Sequence, residues 1–446
     1  MRIESTTQTS PLKEVRDLPL FDPKIWNYGK RRLSREPLTF HIEPYRRLGS
    51  IYRFRYLQRE HIVMAGLEAN EFVSRNADLW TYAERMKMFR YGFDETCVLQ
   101  LDGEEHQEKR RRLAQGFRPA CLTPLVGEMN QVVVEEIAVL PEGKANLRTL
   151  SKRLTCSITS QALLNVRLPR GLDKQIDLFS RNLLSGERWG PLQTLWYKRP
   201  SYQRLRKELF ADIHRMLDER DAHPSTKDDI LSFGLQHHAT DGAPFTRHET
   251  ALDVLFLLQG GTETASSIII WALMYLYSNP EWLADAREEL KAWDPLTFKN
   301  LNDWPRLKSF MQEVERLYPP VPFFILIPAR DFEYQGYRIP RGTRIFYPST
   351  LTHVLPEIYE DPLSFQPERF LGKHEYPAKA HTTFGSSAHA CFGQPLARLK
   401  ILIVLAHILT QYDLVFEEKP TFQQLLGIVL TPKERTLPVR FVPRAN

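Results

Sequence analysis

Apolar and polar positions along the chain follow two different periods. Residues 50–65 alternate, with Ile51, Phe54, Ile62 and Val63 set among charged neighbours, and predict a β-hairpin. Between residues 67 and 292 apolar positions recur every three or four residues, which predicts a long succession of helices. Residues 92–101 and 184–202 break that pattern and read as loops, and residues 223–227 and 237–245 carry turn signals. A second β region is predicted over residues 331–347, turning at Ile339-Pro340-Arg341-Gly342, and a third over residues 426–441. Residues 396–409 form another apolar, helix-like run. Residues 1–15 read as a loose tail and residues 16–446 as a single domain, because no composition break marks a linker. The fold class is mainly α with small peripheral β-sheets.

Composition narrows the classes. A chain of 446 residues, 42% hydrophobic and 26% charged, can bury a large core. Its net charge of +6 argues against bulk nucleic-acid binding and leaves room for a local basic patch. Cys97, Cys121, Cys156 and Cys391 are widely spaced with no CxxC pair, which fits a reducing, cytoplasmic setting. The polar N-terminal segment, with Pro11, Pro19 and Pro23, has no apolar core of signal-peptide length. Apolar runs such as residues 268–277 and 401–409 fall short of the roughly 18 residues a membrane span requires, so a soluble monomer is expected. Neither a GxxxxGK[ST] loop nor a GxGxxG fingerprint appears, so no flavin or nicotinamide module is visible.

The chemistry concentrates around Cys391. A free cysteine is most often a small buried hydrophobe. Here it stands in Phe384-Gly385-Ser386-Ser387-Ala388-His389-Ala390-Cys391-Phe392-Gly393, directly before an apolar helix. A thiolate at a helix start, with glycines that let the backbone lie against a flat group, suits the proximal side of a haem iron. The segment resembles the haem-thiolate loop of the cytochrome P450 family, with Phe384, His389, Cys391 and Gly393 in place and Ser387 where that family has Gly. The resemblance implies the cytochrome P450 fold, haem b as cofactor, Cys391 as axial iron ligand, and Phe384, Gly385 and Gly393 against the haem.

Further segments match the same family in the same order. Gly260-Gly261-Thr262-Glu263-Thr264 lies in a long apolar helix, where a glycine pair is costly unless a flat ligand presses on it. Family likeness makes Thr264 the hydroxyl that hydrogen-bonds dioxygen and Glu263 the proton relay. Glu313-Val314-Glu315-Arg316 and Pro367-Glu368-Arg369-Phe370 imply a buried structural network of Glu313, Arg316 and Arg369. His106 and Arg110, at i and i+4 on one helix face, resemble the family's haem-propionate contacts, and His389 a third. The basic residue that the family places five before the Asp of the next β segment is here Leu326, and Arg330 does not fill that slot. Lys400 stands where the family has Glu; with Arg111, Arg112 and Arg398 it suggests a basic proximal face for an acidic partner.

The resemblance therefore implies a monooxygenase that inserts one atom of O2 into a hydrophobic small molecule of terpenoid, steroid, fatty acyl or polyketide type. Electrons would come from a ferredoxin or flavodoxin type donor with its reductase. The alternatives are a peroxide-driven enzyme, an atypical oxidation such as ring formation or C–C coupling, and a non-catalytic haem-thiolate protein.

Overall fold

A computed structural model describes residues 12–22, 32–56, 59–223, 228–235, 246–294, 303–372, 375–386 and 389–444. Eight helices of its body position the site: α1 (Gly103–Gln115), α2 (Val126–Ala138), α3 (Leu147–Leu164), α4 (Leu172–Gly186), α5 (Pro200–Ala222), α6 (Arg247–Ser278), α7 (Pro305–Leu317) and α8 (Gln394–Gln411). α6 runs through the centre, packed against α3 and α8. It starts in a capping box, where Thr246 and Glu249 satisfy each other's backbone amides. It is apolar nearly all round, as a helix surrounded by others must be. α6 is long and apolar enough to cross a membrane, contrary to the sequence expectation, but 72% of that apolar stretch is buried inside the body. The apolarity is used by the core.

Four small sheets flank the helices. The largest orders its strands β2 (Leu20–Phe21), β3 (Ile51–Tyr56), β4 (Arg59–Met64), β9 (Ile345–Tyr347) and β6 (Phe324–Leu326). Its β3–β4 hairpin pairs Ile51 with Met64 and Phe54 with His61. Tyr52, Phe54 and Val63 point into the core while Arg53 and Arg55 reach outward to Glu60, the alternation of a half-buried strand pair. β1 (Lys13–Glu14), β8 (Tyr337–Ile339) and β7 (Phe332–Tyr334) form a second sheet. The third joins β10 (Tyr412–Phe416), β13 (Pro438–Pro443) and β5 (Lys144–Asn146), and the last is the hairpin of β11 (Gln424–Leu426) with β12 (Leu430–Pro432).

Three expectations change. Of the expected loose tail, residues 1–11 lie outside the described residues, and Lys13 and Glu14 pair in parallel with Tyr337 and Arg338. The hairpin turn of residues 331–347 falls at Gln335-Gly336, both at positive φ, whereas residues 339–342 lead from β8 into a different sheet. Residues 184–202, read as a loop, are helical for most of their length. Tertiary contacts override the weak periodicity there: buried Tyr197 donates to the Leu183 carbonyl at 2.5 Å, and the Trp196 indole to the Asn182 carbonyl at 2.9 Å. The turn predicted at residues 237–245 lies outside the described residues.

Candidate active site

The segment before α8 folds back on itself. The Cys391 amide donates to the Phe384 carbonyl at 2.7 Å. Gly385 takes φ +77°, and a Cβ there would stand 3.3 Å from the Ala390 Cα, so the position favours glycine. Arg110 of α1 donates to the Ala390 carbonyl and stacks over Phe392 at 5.2 Å. Ser387 and Ala388 lie outside the described residues. Burial raises the Cys391 thiol, while the amides of Gly393 and Gln394 and the charges of Arg110 and Lys400 oppose that rise. Cys391 is nonetheless an exposed residue, at the start of α8.

α6 supplies the facing surface. Phe256, Gly260 and Thr264 are spaced i, i+4, i+8 on one face, and all three are at least partly accessible in a helix that is otherwise largely buried. A Cβ on Gly260 would meet nothing within 4 Å. Three consecutive carbonyls of this turn each take a side-chain donor. Thr264 Oγ1 donates to Gly260 at 2.8 Å, Lys400 Nζ of α8 donates to Gly261, and Thr155 Oγ1 of α3 lies 3.1 Å from the Thr262 carbonyl, its one proton shared with the carbonyls of Ser151 and Lys152. Such extra donors tilt carbonyls off the helix axis and bend helices.

Glu263 turns the other way. It lies 2.7 Å from Lys152 of α3, which also pairs with Asp177 of α4 at 2.6 Å, and Asp177 pairs with Arg181 at 2.9 Å. Burial raises the Glu263 carboxyl. Asp177 is half-buried, yet Arg181, Glu263 and Lys152 hold it down to about 2. Two carboxyls pushed in opposite directions thus stand side by side, bridged by ammonium. Sequence spacing gave no sign of Lys152 or Asp177, because both come from other helices.

A cationic group lines a neighbouring side. His389 stacks on Tyr82 at 3.6 Å, and the His106 ring lies 4.4 Å from that of His389. The Arg85 guanidinium sits 5.0 Å from the Tyr82 ring and 4.9 Å from that of Phe324. Burial, His106, Arg110 and Arg85 together push His389 down to about 3. The nearby Asp102 is engaged with Thr81 Oγ1 at 2.5 Å and the Tyr82 amide at 2.6 Å. Bases that suppress one another's charge in this way form a set that an anion with carboxylates would satisfy. Arg85, unmarked in the sequence reading, joins this set. Leu326 is buried in an apolar cluster, and Arg330 pairs with Asp78 at the surface.

Behind the cysteine segment, Arg316 makes two 2.7 Å bonds to Glu313. Arg369 adds a third at 3.2 Å and the Gln366 amide a fourth at 2.8 Å. Glu313 and Arg316 are fully buried, and Arg316 also donates to the carbonyls of His353 and Pro362 at 2.6 Å each. His353 carries the network forward: its Nδ1 meets the Arg316 carbonyl at 2.9 Å, and its Nε2 accepts from the Thr382 amide at 2.8 Å.

The expected basic face does not form as read. Lys400 and Arg112 are 1% and 3% exposed, and Arg398 pairs with Glu315 at 2.9 Å beside Phe384. Lys400 points inward because its helix face packs on α6 and α3.

A mainly helical body, a cysteine segment opening α8 and a buried Glu–Arg–Arg network define a haem-dependent oxidoreductase class. A family model described as Cytochrome P450 matches residues 18–439. The chain belongs to the cytochrome P450 family, whose members are haem monooxygenases. Among its curated relatives is "Putative cytochrome P450 120" of Synechocystis sp., 26% identical over 87% of each chain. "Beta-amyrin 28-monooxygenase" of Solanum lycopersicum is 26% identical over 88% of this chain and 85% of its own length. "Abscisic acid 8'-hydroxylase 3" of Oryza sativa subsp. indica is 26% identical over 85% of this chain and 77% of its own. A solved structure described as "Retinoic acid bound cyanobacterial CYP120A1" superposes with a TM-score of 0.80 at 23% identity, covering 97% of this chain and 100% of that one. That likeness bears out the expected fold.

Proposed function

We propose that the chain inserts one oxygen atom from O2 into a hydrophobic isoprenoid, using haem b and electrons from a ferredoxin or flavodoxin type donor in the cytoplasm. The observation that carries this reading is the exposed Cys391 at the start of α8, its sulfur receiving N–H groups from Gly393 and Gln394. When bound there, haem supplies oxygen activation and oxidising power. Cys391 would be its axial ligand, and coordination would deprotonate the thiol that burial alone keeps protonated. Phe384, Gly385 and Gly393 would shape the loop beneath it, and Gly260 and Gly261 would leave room along α6. His106, Arg110, His389 and Arg85 would hold its propionates by charge-assisted bonds.

Thr264 is placed to offer its hydroxyl, now spent on the Gly260 carbonyl, to a group arriving on that face. Glu263 is placed to hand over a proton: burial keeps it protonated more readily than Asp177, and Lys152 and Asp177 can return the proton from the outer side. Half-buried Phe256, Phe323, Phe324 and Ile325 present an apolar wall. The relatives named for abscisic acid and β-amyrin, and the structure named for retinoic acid, favour an isoprenoid among apolar substrates. The test is spectroscopic. The purified protein should give the red-shifted ferrous–CO band of a thiolate-ligated haem, and Cys391→Ala should lose it; survival of the band would remove Cys391 from the iron. Isoprenoids should shift the haem spin state at lower concentration than straight fatty acids.

A further inference from the structure

Lys400 is a buried base that no carboxylate pairs with among the described residues. Its side chain is 1% exposed, and the groups that raise its pKa are the sulfurs of Cys156 and Cys391. Burial dominates and brings it down to about 8, so it is mostly protonated at neutral pH. A charge held in such a place is costly unless its hydrogen-bonding capacity is used. Lys400 spends it on two partners: the Thr159 hydroxyl of α3 at 3.0 Å and the backbone carbonyl of Gly261. Thr159 Oγ1 itself donates to the Thr155 carbonyl at 2.6 Å, so it can only accept from the ammonium. A carboxylate at position 400 could make neither bond. A Cβ on Gly261 would stand 3.0 Å from Nζ and 3.1 Å from Thr159 Oγ1, so the absence of a side chain at 261 is what lets the ammonium approach.

We infer that Lys400 is a positioning residue that ties α8, the helix opened by Cys391, to the turn of α6 that carries Thr264, fixing the spacing between the two faces of the site. Its carbonyl acceptor lies between those engaged by Thr264 and Thr155, so three donors from three helices hold one turn weakened by two glycines. The role rests on the proposed function only in what it positions; the tether itself is a property of the polypeptide.

Hydrogen–deuterium exchange of the purified holoprotein tests the tether, and product formed per reductant consumed tests its use. Lys400→Met keeps the stem and removes the donors. It should speed exchange of the amides around residues 262–266 about tenfold, as loss of one charge-assisted bond implies. It should also lower coupling while the ferrous–CO band is kept. Thr159→Val should move both readouts in the same direction by less, and serves if Lys400→Met does not fold. Exchange unchanged or slowed in both variants would overturn the tether. Faster exchange with unchanged coupling would overturn its positioning role. Should wild-type protein lack the thiolate band, the functional reading fails and the exchange result still decides the tether.

Discussion

The cysteine side and the α6 side of the site are built by opposite means. On the cysteine side, buried Glu313, Arg316 and Arg369 saturate one another and the surrounding carbonyls, and His353 passes that order to the segment entering Phe384. On the α6 side, a glycine pair lies within the continuous helix, and single side-chain donors lie at the carbonyls of Gly260, Gly261 and Thr262. One side is fixed by redundancy and the other by a few replaceable bonds. The difference suits the proposed roles: Cys391 as a metal ligand would have to stay put, whereas an α6 face that admits dioxygen, protons and substrate would have to yield.

Breaking the fixed side should cost most. Arg316→Leu leaves Glu313 buried and half paired, and should lower stability by about 3–5 kcal/mol in chemical denaturation, with loss of haem retention. If stability is unchanged, the two sides are not built differently. Cys391→Ala should abolish monooxygenase turnover while denaturation of the chain moves by about 1 kcal/mol or less, since only the sulfur of an exposed residue is removed. On the yielding side, Glu263→Gln keeps an acceptor for Lys152 but no transferable proton, and should slow turnover about 100-fold with the fold intact. Thr264→Ala should leave reductant consumption near wild type and divert a several-fold larger share of it to peroxide, read as product per reductant. The smallest effect is on pH. Burial, aided by His381, holds His353 well below its ordinary 6.5, so the folded state binds fewer protons than the unfolded one. The stability it lends is complete above pH 6.5 and declines as pH falls below it, by up to about 1.4 kcal/mol per unit. Replacing His353 with Gln should flatten that acid slope by about one proton.

The fixed side was largely legible in the sequence, because its residues sit in short segments: Glu313 and Arg316 share one helix turn, and Phe384 to Gly393 is a single loop. The hairpin at residues 51–64 and the helical body were legible for the same reason, as local periodicity suffices. The yielding side was not. Glu263 and Thr264 stand in one segment, but Lys152, Asp177, Thr155 and Thr159 reach their surroundings from helices that begin far earlier in the chain. Lys400 was read as part of a basic surface because lysines on helices usually face water, and only the packing of α8 on α6 shows otherwise. Residues 184–202 looked like a loop because their order depends on Trp196 and Tyr197 reaching back to Asn182 and Leu183.

The pairing of β13 with β5 has a consequence for how the protein is made. Val439 lies opposite Ala145, and the Leu147 amide, at the first residue of α3, bonds the Leu437 carbonyl. The helix that bears Lys152, Thr155 and Thr159 is therefore secured at its start by residues synthesised long after it. A nascent chain still lacking them holds α3 without its anchor, so the α6 turn reaches its final form only after synthesis has passed residue 438. Cofactor capture during translation would then meet a half-built pocket, and haem supplied after release should be incorporated more efficiently than haem present only while the chain is being made.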